Sequence, residues 1–127
     1  MDIKNEDQFT IMVVDDSRVS REVVLSELSH RDEFDTVMFE SPIAALNALE
    51  TVDPDMIISD YVMPVLNGFE LCHAVRAHPK YSKVPFVLLS GKIDDDSRAK
   101  AMEIGVTHLF LKPLIESPDS VFDLEQF

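Results

Sequence analysis

The sequence predicts a single α/β domain in which a five-stranded parallel sheet carries helices on both faces. Five short apolar runs alternate with segments of helical periodicity, and parallel strands need crossover connections of this kind. The runs show little polar alternation, which is typical of strands that are buried on both sides. The 127 residues, of which 46% are hydrophobic, suffice for one buried core. We therefore predict one domain over residues 1–127.

The first half of the chain predicts two strands and two helices. Residues 9–14 form a β-branched apolar run, and Ser17 is a good N-cap for the helix that follows. Residues 36–39 give a second short strand. The next helix has Pro42 in its first turn, where a missing N–H donor is tolerated.

The second half continues the same alternation. It predicts strands at residues 56–59, 84–89 and 106–111 and helices at residues 69–77 and 97–104. Gly105 is a candidate C-cap, and Ser117-Pro118 would start a last helix. The acidic triplet at residues 94–96 is better explained by the positive end of the following helix than by a metal site.

Composition and charge exclude several classes of function. Asp and Glu total 24 against 11 Lys and Arg, and the net charge of −13 disfavours direct binding of nucleic acid or anionic membrane. This excess suits solubility, a divalent cation or a basic partner, and charge alone does not separate them. We expect a cytoplasmic protein, because no run approaches the roughly 18 apolar residues of a membrane span. Cys72 lies among apolar residues and is interpreted as a packing residue.

Four of the five predicted strands end in a chemically active side chain. In chain order these are Asp15-Asp16, Asp60, Ser90 and Lys112. Taken alone, Asp60 is explained as well by a role as helix cap or solvated loop residue as by a role as functional carboxylate. However, the carboxyl ends of parallel strands share one edge of the sheet, where open α/β folds bind their ligands. The pattern therefore predicts a cleft with three carboxylates, a hydroxyl and an ammonium group.

This group of side chains suits the transfer of a phosphoryl group. Three carboxylates in a small volume repel one another, which raises some of their pKa values unless a cation lies among them. Oxygen ligands favour a hard ion such as Mg²⁺. Positioning and charge neutralisation supply most of the catalysis of phosphoryl transfer, and a carboxylate can act as the nucleophile. One of the three aspartates would then form an aspartyl phosphate.

From Ile11 to about Phe127, the sequence resembles the receiver domains of two-component response regulators, in particular the chemotaxis-regulator-like ones. The matching residues are Asp15-Asp16 after the first strand, Asp60 followed by Met63-Pro64 and Gly68, Ser90 after the fourth strand, and Lys112-Pro113 after the fifth. The resemblance implies a flavodoxin-like fold with strand order 2-1-3-4-5. It also implies a signalling switch rather than an enzyme, with Asp60 as the phosphoacceptor.

The resemblance also implies a metal site. Asp16 and Asp60 would bind Mg²⁺ directly, and Asp15 would act mainly through water. The backbone carbonyl of Val62 would be a further ligand.

The remaining roles concern the phosphoryl group and the partners. Lys112 would pair with the phosphoryl oxygens, and the hydroxyl of Ser90 would move in to bond one of them. Pro113 implies a cis Lys112-Pro113 peptide bond. The phosphoryl donor would be a histidine kinase or a histidine phosphotransfer protein. A downstream output domain or protein would read the surface of the fourth helix, fifth strand and fifth helix, which is also the candidate homodimer face.

Some positions depart from the pattern of the family. Leu109 stands where receiver domains commonly carry Tyr or Phe, three residues before the lysine. Alternation along a strand would turn Phe110 to the opposite face, so it is not expected to replace that ring. Val62 is apolar and cannot orient an attacking water, so we expect slow loss of the phosphoryl group. Only fifteen residues follow Lys112, which is consistent with an N-terminal segment of a longer protein.

Two other functions are compatible with parts of the pattern. A Mg²⁺-dependent phosphatase or phosphotransferase would also use an aspartate nucleophile, but such enzymes place a second acid where this chain has Val62, and they usually need a cap domain. A degenerate receiver would serve only as an interaction module. The intact set of aspartates, serine and lysine argues against it.

Overall fold

The computed structural model of the chain describes residues 8–112 and shows a five-stranded parallel sheet. The strand order is β2-β1-β3-β4-β5, so the predicted fold class and the order 2-1-3-4-5 are confirmed. In chain order the elements are β1 (Phe9–Val14), α1 (Arg18–Leu28), β2 (Phe34–Phe39), α2 (Pro42–Asn47), α3 (Leu49–Val52), β3 (Met56–Asp60), α4 (Gly68–Ala77), a 3₁₀ turn (Pro79–Tyr81), β4 (Phe86–Ser90), α5 (Asp95–Ile104) and β5 (His108–Leu111). The predicted last helix and the Lys112-Pro113 peptide bond lie outside the described residues.

Hydrophobic packing covers the sheet on both faces. On one face, side chains of β1, β3 and β4 such as Met12, Ile57 and Leu88 pack under α2, α3, α4 and α5. On the other face, the alternate side chains of the same strands pack under Val24 and Leu28 of α1. Both sets are buried, which is why the strand sequences lack polar alternation. Among residues 8–112, no helix is long and apolar enough to cross a membrane.

The prediction of one helix with Pro42 in its first turn is wrong in one respect, because the structure divides this segment into two helices, α2 and α3. Ala48 separates them with φ −95° and ψ 0°, and its N–H group reaches the carbonyls of three preceding residues. Such tight turns of the 3₁₀ type are common at helix ends. Asp53, with φ 50°, ends α3 in a left-handed conformation.

Three strands differ from their predicted bounds by two residues at the start. β2 begins at Phe34 because it pairs with β1 along the whole length of that strand. β4 begins at Phe86, and Pro85 before it contributes only its carbonyl, which accepts the N–H of Ile57 at 2.9 Å. β5 begins at His108, where pairing with β4 starts.

Two helices are capped by side chains whose role the sequence reading did not fully identify. Asn67 is the N-cap of α4 and forms a capping box with Glu70, whereas Asn67-Gly68 reads as a turn signal in the sequence. Asp94 is the N-cap of α5, and Asp95 and Asp96 lie in its first turn. The interpretation of this acidic triplet as a helix-start signal is confirmed.

The loop between β3 and α4 contains a strained residue. Val65 has φ 75°, and the N–H of Leu66 bonds to the carbonyl of Pro64 at 2.9 Å, which closes a γ-turn around it. A β-branched residue at positive φ is a conformational outlier that costs about 1–3 kcal/mol. The loop next to Asp60 therefore stores strain.

We expect Val65→Asn to stabilise the folded state by about 1 kcal/mol, because Asn tolerates positive φ far better than Val. Urea unfolding measures the change. Val65→Thr is the matched control, since it keeps the β-branch and should leave the free energy of unfolding nearly unchanged. Equal stability of the Asn and Thr variants would contradict the assignment of strain to this residue.

Candidate functional site

Three of the predicted site residues meet at the carboxyl edge of the sheet. Asp15 follows β1, Asp60 is the last residue of β3, and Lys112 follows β5. The ammonium nitrogen of Lys112 lies 3.0 Å from Oδ2 of Asp15 and 3.1 Å from Oδ1 of Asp60. The side chains that the sequence separates by up to 97 positions are thus in direct contact.

Asp15 is buried and held from two sides. Its Oδ1 accepts the N–H of Ser17 at 2.9 Å, so the residue that follows the acid pair orients the carboxylate. Its backbone carbonyl accepts a hydrogen bond from the guanidinium of Arg21 at 2.7 Å. Asp15 is 1% exposed, whereas its neighbour Asp16 is exposed. The two adjacent acids therefore have different environments.

Asp60 is fixed by the backbone around it. Its Oδ1 accepts the N–H of Tyr61 at 2.9 Å, and the carbonyl of Tyr61 accepts the N–H of Gly68 at 2.8 Å. The first residue of α4 thus binds the residue that follows Asp60. Asp60 itself caps no helix, because the N-cap of α4 is Asn67.

The electrostatic environment raises the pKa of Asp60. Burial is the largest cause, and the charge of Asp15 adds to it. The hydrogen bond and charge of Lys112 and the N–H of Tyr61 lower the pKa but do not compensate. Two close carboxylates in a half-buried site resist simultaneous ionisation, which is the repulsion expected from the sequence.

Lys112 remains an ammonium group. Burial, the largest single effect, lowers its pKa. The hydrogen bonds and charges of Asp15 and then of Asp60 together raise the pKa by more, so the net shift is upward. Its backbone N–H also donates to the carbonyl of Ser90 at 2.7 Å, and this bond attaches the backbone of Lys112 to β4. A fixed positive charge therefore lies between the two carboxylates.

The carboxylates fit a divalent cation. One oxygen each of Asp15, Asp16 and Asp60 lies within 4.8 Å of the others. Three carboxylates beside the single ammonium group of Lys112 leave two negative charges in excess. Such an oxygen-only group suits a hard ion such as Mg²⁺. Burial first and the charge of Asp15 second raise the pKa of Asp60, and Lys112 does not offset the two effects together.

Ser90 lies at the same edge, but its hydroxyl is engaged in its own loop. It donates to the carbonyl of Lys92 at 2.7 Å and accepts the N–H of Lys92 at 3.3 Å. Ser90 also lines a cavity of about 480 Å³ beside Tyr61 and Val62. A group bound at Asp60 would gain this hydroxyl only after the contacts with Lys92 break.

The residues that depart from the family pattern lie as their spacing predicts. Leu109 packs against the core on the face of the sheet that α2 to α5 cover, and Phe110 packs on the opposite face. The side chain of Val62 is 71% exposed. Cys72 is fully buried, and burial raises the pKa of its thiol to about 11, which confirms it as a packing residue.

The sequence reading missed Ser20, whose hydroxyl accepts a hydrogen bond from the ammonium of Lys112 at 2.9 Å. Ser20 is four residues before Val24 and eight before Leu28, the two buried residues of α1. A polar residue on the inward face of a helix is the signal that could have identified it. The contacts of Arg21 with the carbonyl of Asp15 and of the Tyr61 N–H with Asp60 were also not predicted, because contacts that involve the backbone leave no pattern in the sequence.

Comparisons with known proteins identify the family of this chain. The model of the response regulator receiver domain matches residues 11–120. Two-component response regulator ORR8 of Oryza sativa subsp. indica is 35% identical over 82% of this chain and 86% of its own length. DNA-binding response regulator MtrA of Mycobacterium leprae is 32% identical over 81% of this chain, which spans only 44% of MtrA.

A solved structure shows the same architecture. The chemotaxis protein CheY4 of Vibrio cholerae, crystallised at pH 4.0, superposes with a TM-score of 0.83 at 27% identity, covering 94% of this chain and 97% of CheY4. The match of the family model covers most of the chain, and the relatives and the fold agree with it. The chain therefore belongs to the response regulator receiver domain family, whose members are signalling domains of two-component systems.

Proposed function

We propose that this domain is a phosphorylation-dependent switch whose acceptor is Asp60, and that the donor is the phosphohistidine of a histidine kinase or a phosphotransfer protein. The observation that carries the proposal is the position of Lys112, whose ammonium nitrogen is 3.1 Å from the Asp60 carboxylate. A fixed positive charge at a nucleophilic carboxylate supports charge development on a transferring phosphoryl group.

Asp60 is a better candidate nucleophile than Asp15. Asp15 is 1% exposed and engages both carboxylate oxygens, with Ser17 on one and Lys112 on the other. For Asp60, the contacts with Tyr61 and Lys112 both involve Oδ1. We therefore assign Oδ2 of Asp60 to the attack on phosphorus. The new P–O bond replaces the P–N bond of phosphohistidine, and the leaving imidazole nitrogen keeps the electron pair.

Asp15, Asp16 and Asp60 are the residues that would hold Mg²⁺, with the backbone carbonyl of Val62 as a further ligand. When bound, the ion would neutralise charge on the phosphoryl oxygens. As the family resemblance implies, Asp16 and Asp60 would bind the ion directly and Asp15 would act mainly through water. Both carboxylate oxygens of Asp15 are already engaged, one by Ser17 and the other by Lys112.

Phosphorylation would act on the loops through charge. It adds roughly −1.5 to −2 charges beside Lys112, by analogy with other phosphorylated residues. The Ser90 hydroxyl would exchange its contact with Lys92 for a phosphoryl oxygen, and the loop after β4 would move with it. The surface of α5 and β5, with the predicted last helix, would then offer partners a different face, as an output or dimer surface.

Intact mass spectrometry after incubation with Mg²⁺ and acetyl phosphate tests the proposal. The expected result is the addition of one phosphoryl group with Mg²⁺ and no addition when EDTA replaces Mg²⁺. An unchanged mass at donor concentrations that modify another receiver domain would contradict it. Turnover of a small phosphate ester without mass increase would instead favour a phosphatase.

We expect Mg²⁺ to raise the free energy of unfolding, because binding relieves the repulsion among the carboxylates. A ligand at ten times its Kd stabilises by about 1.4 kcal/mol. Urea unfolding at increasing MgCl₂ measures the effect, and Asp16→Asn should lose most of it. NaCl at matched ionic strength is the control for screening of the net charge of −13. Equal stabilisation by both salts would contradict the metal site.

We expect Val62→Asn to accelerate loss of the phosphoryl group about fivefold, the effect of one net hydrogen bond of about 1 kcal/mol to the attacking water. The exposed side chain of Val62 leaves room for this water beside Asp60. Decay of the phosphorylated form, followed by mass, gives the rates. Val62→Ala is the control for side-chain size, and a rate in Val62→Asn that equals or falls below the wild-type rate would contradict the hypothesis.

A further inference from the structure

We infer that Ser20 is a positioning residue for Lys112, and that its hydroxyl holds the ammonium group at the point where it meets Asp60. The contact is direct, since Oγ of Ser20 lies 2.9 Å from Nζ of Lys112. The consequence for phosphorylation rests on the proposed function, whereas the contact itself does not.

An ammonium group has three N–H donors, and the structure provides three acceptors for that of Lys112. They are Oδ2 of Asp15 at 3.0 Å, Oδ1 of Asp60 at 3.1 Å and Oγ of Ser20 at 2.9 Å. The two carboxylates belong to the acidic group whose charges change when a cation or a phosphoryl group arrives. Ser20 is neutral, so neither event changes its charge, and we expect its bond to Lys112 to be kept in both.

Ser20 is itself held by a rigid element. It lies in the first turn of α1, and its backbone N–H donates to Oγ of the N-cap residue Ser17 at 3.3 Å. The backbone N–H of Lys112 is bonded to the carbonyl of Ser90. The lysine is therefore fixed at both ends, which limits the rotamers that a flexible four-carbon side chain would otherwise explore.

The position of Ser20 on α1 would also suit an apolar side chain. The residue continues the inward stripe of Val24 and Leu28, where an apolar side chain would extend the core. A hydroxyl in such a position costs free energy unless it finds a partner. Lys112 is that partner, and with its side chain 21% exposed it is only partly accessible to water that could replace the bond.

The isosteric pair Ser20→Val and Ser20→Thr tests the inference, since only Thr keeps the hydroxyl. With Mg²⁺ and acetyl phosphate, we expect Ser20→Val to slow phosphorylation about three- to tenfold, the loss of one charged hydrogen bond partly replaced by water. Ser20→Thr should recover most of the wild-type rate. Urea unfolding checks that both variants are folded. Equal rates of phosphorylation in two folded variants would overturn the inference.

A double-mutant cycle separates positioning from a general structural effect. In a Lys112→Met background, Ser20→Val should no longer change the rate of phosphorylation, because the group it positions is gone. The same fold reduction in both backgrounds would show that Ser20 acts elsewhere and would overturn the inference.

A readout without phosphorylation keeps this inference separate from the proposed function. The ¹³Cε and ¹⁵Nζ signals of Lys112 in the unmodified protein should shift in Ser20→Val and remain near wild type in Ser20→Thr. If wild type takes up no phosphoryl group but these shifts are seen, the proposed function fails and the positioning role stands. Identical signals in both variants would exclude the contact.

Discussion

Asp60→Asn is expected to abolish phosphoryl uptake completely while the domain remains folded. Asn keeps an oxygen that can accept the N–H of Tyr61, which now binds Oδ1 at 2.9 Å, but its amide is not a nucleophile. Lys112 retains Asp15 and Ser20 as partners, so no ammonium is left buried without acceptors. Mass spectrometry with Mg²⁺ and acetyl phosphate measures the uptake.

The same substitution should raise the free energy of unfolding at neutral pH in EDTA. Burial and the charge of Asp15 raise the pKa of Asp60 above its ordinary value of 3.8, so the folded state retains this proton to higher pH than the unfolded chain. Stability is then lost as the pH rises from 3.8 through the folded-state pKa. Asn does not titrate, so the advantage of the variant should grow across this window and then level off.

Asp35→Asn is the matched control for the loss of one negative charge. Asp35 is an exposed residue of β2, outside the acidic group. We expect it to leave phosphoryl uptake unchanged. Phosphoryl uptake in Asp60→Asn would contradict the assignment of Asp60 as the acceptor and would favour Asp15 or Asp16 in that role.

Gly68→Ala is expected to destabilise the fold by about 2–3 kcal/mol, since overpacking at a closed site has this size. A Cβ at Gly68 would lie 2.7 Å from the backbone carbonyl oxygen of Asp60 and 3.0 Å from Cα of Tyr61. It would also overlap Cδ1 of Leu88, at 2.2 Å. The leucine side chain can rotate, but the backbone of Asp60 can move only if the Asp60 carboxylate, the proposed phosphoacceptor, moves with it. Phosphorylation should therefore slow together with the loss of stability.

Gly91→Ala is the control for this effect. A Cβ at Gly91 would meet no atom within 4 Å, so the substitution should change the free energy of unfolding by about 0.5 kcal/mol or less. Urea unfolding of both variants gives the comparison. Similar stabilities of Gly68→Ala and Gly91→Ala would contradict the close approach of α4 to the acceptor.

The fold could be predicted from the sequence because each strand is a short apolar run, and four of the five runs end at a chemically distinct residue. Strand order followed from the family resemblance rather than from the runs themselves. The starts of β2, β4 and β5 could not be predicted exactly. β2, for example, begins at Phe34 through pairing with β1, which is a tertiary effect. The division of the second helix at Ala48 likewise depends on local hydrogen bonding that composition does not reveal.

The candidate site could be predicted only in part. Asp15, Asp16, Asp60 and Lys112 meet as the strand ends imply. The sequence placed the Ser90 hydroxyl in the same cleft, but it did not reveal that this hydroxyl bonds to Lys92.

The contact between Ser20 and Lys112 also lay beyond the sequence reading. It depends on which face of α1 meets a strand end 92 positions away. Hydrogen-bond partners of this kind are decided by side-chain direction and packing, which residue spacing alone does not determine.

The most direct test of the account is to locate the phosphoryl group. An aspartyl phosphate is reduced by borohydride to homoserine, so wild-type protein treated with Mg²⁺ and acetyl phosphate, reduced and sequenced by tandem mass spectrometry, reports the modified residue. The expected result is homoserine at position 60 and an unmodified acid at Asp15 and Asp16. Homoserine at either of those two positions, or at none of the three, would contradict it.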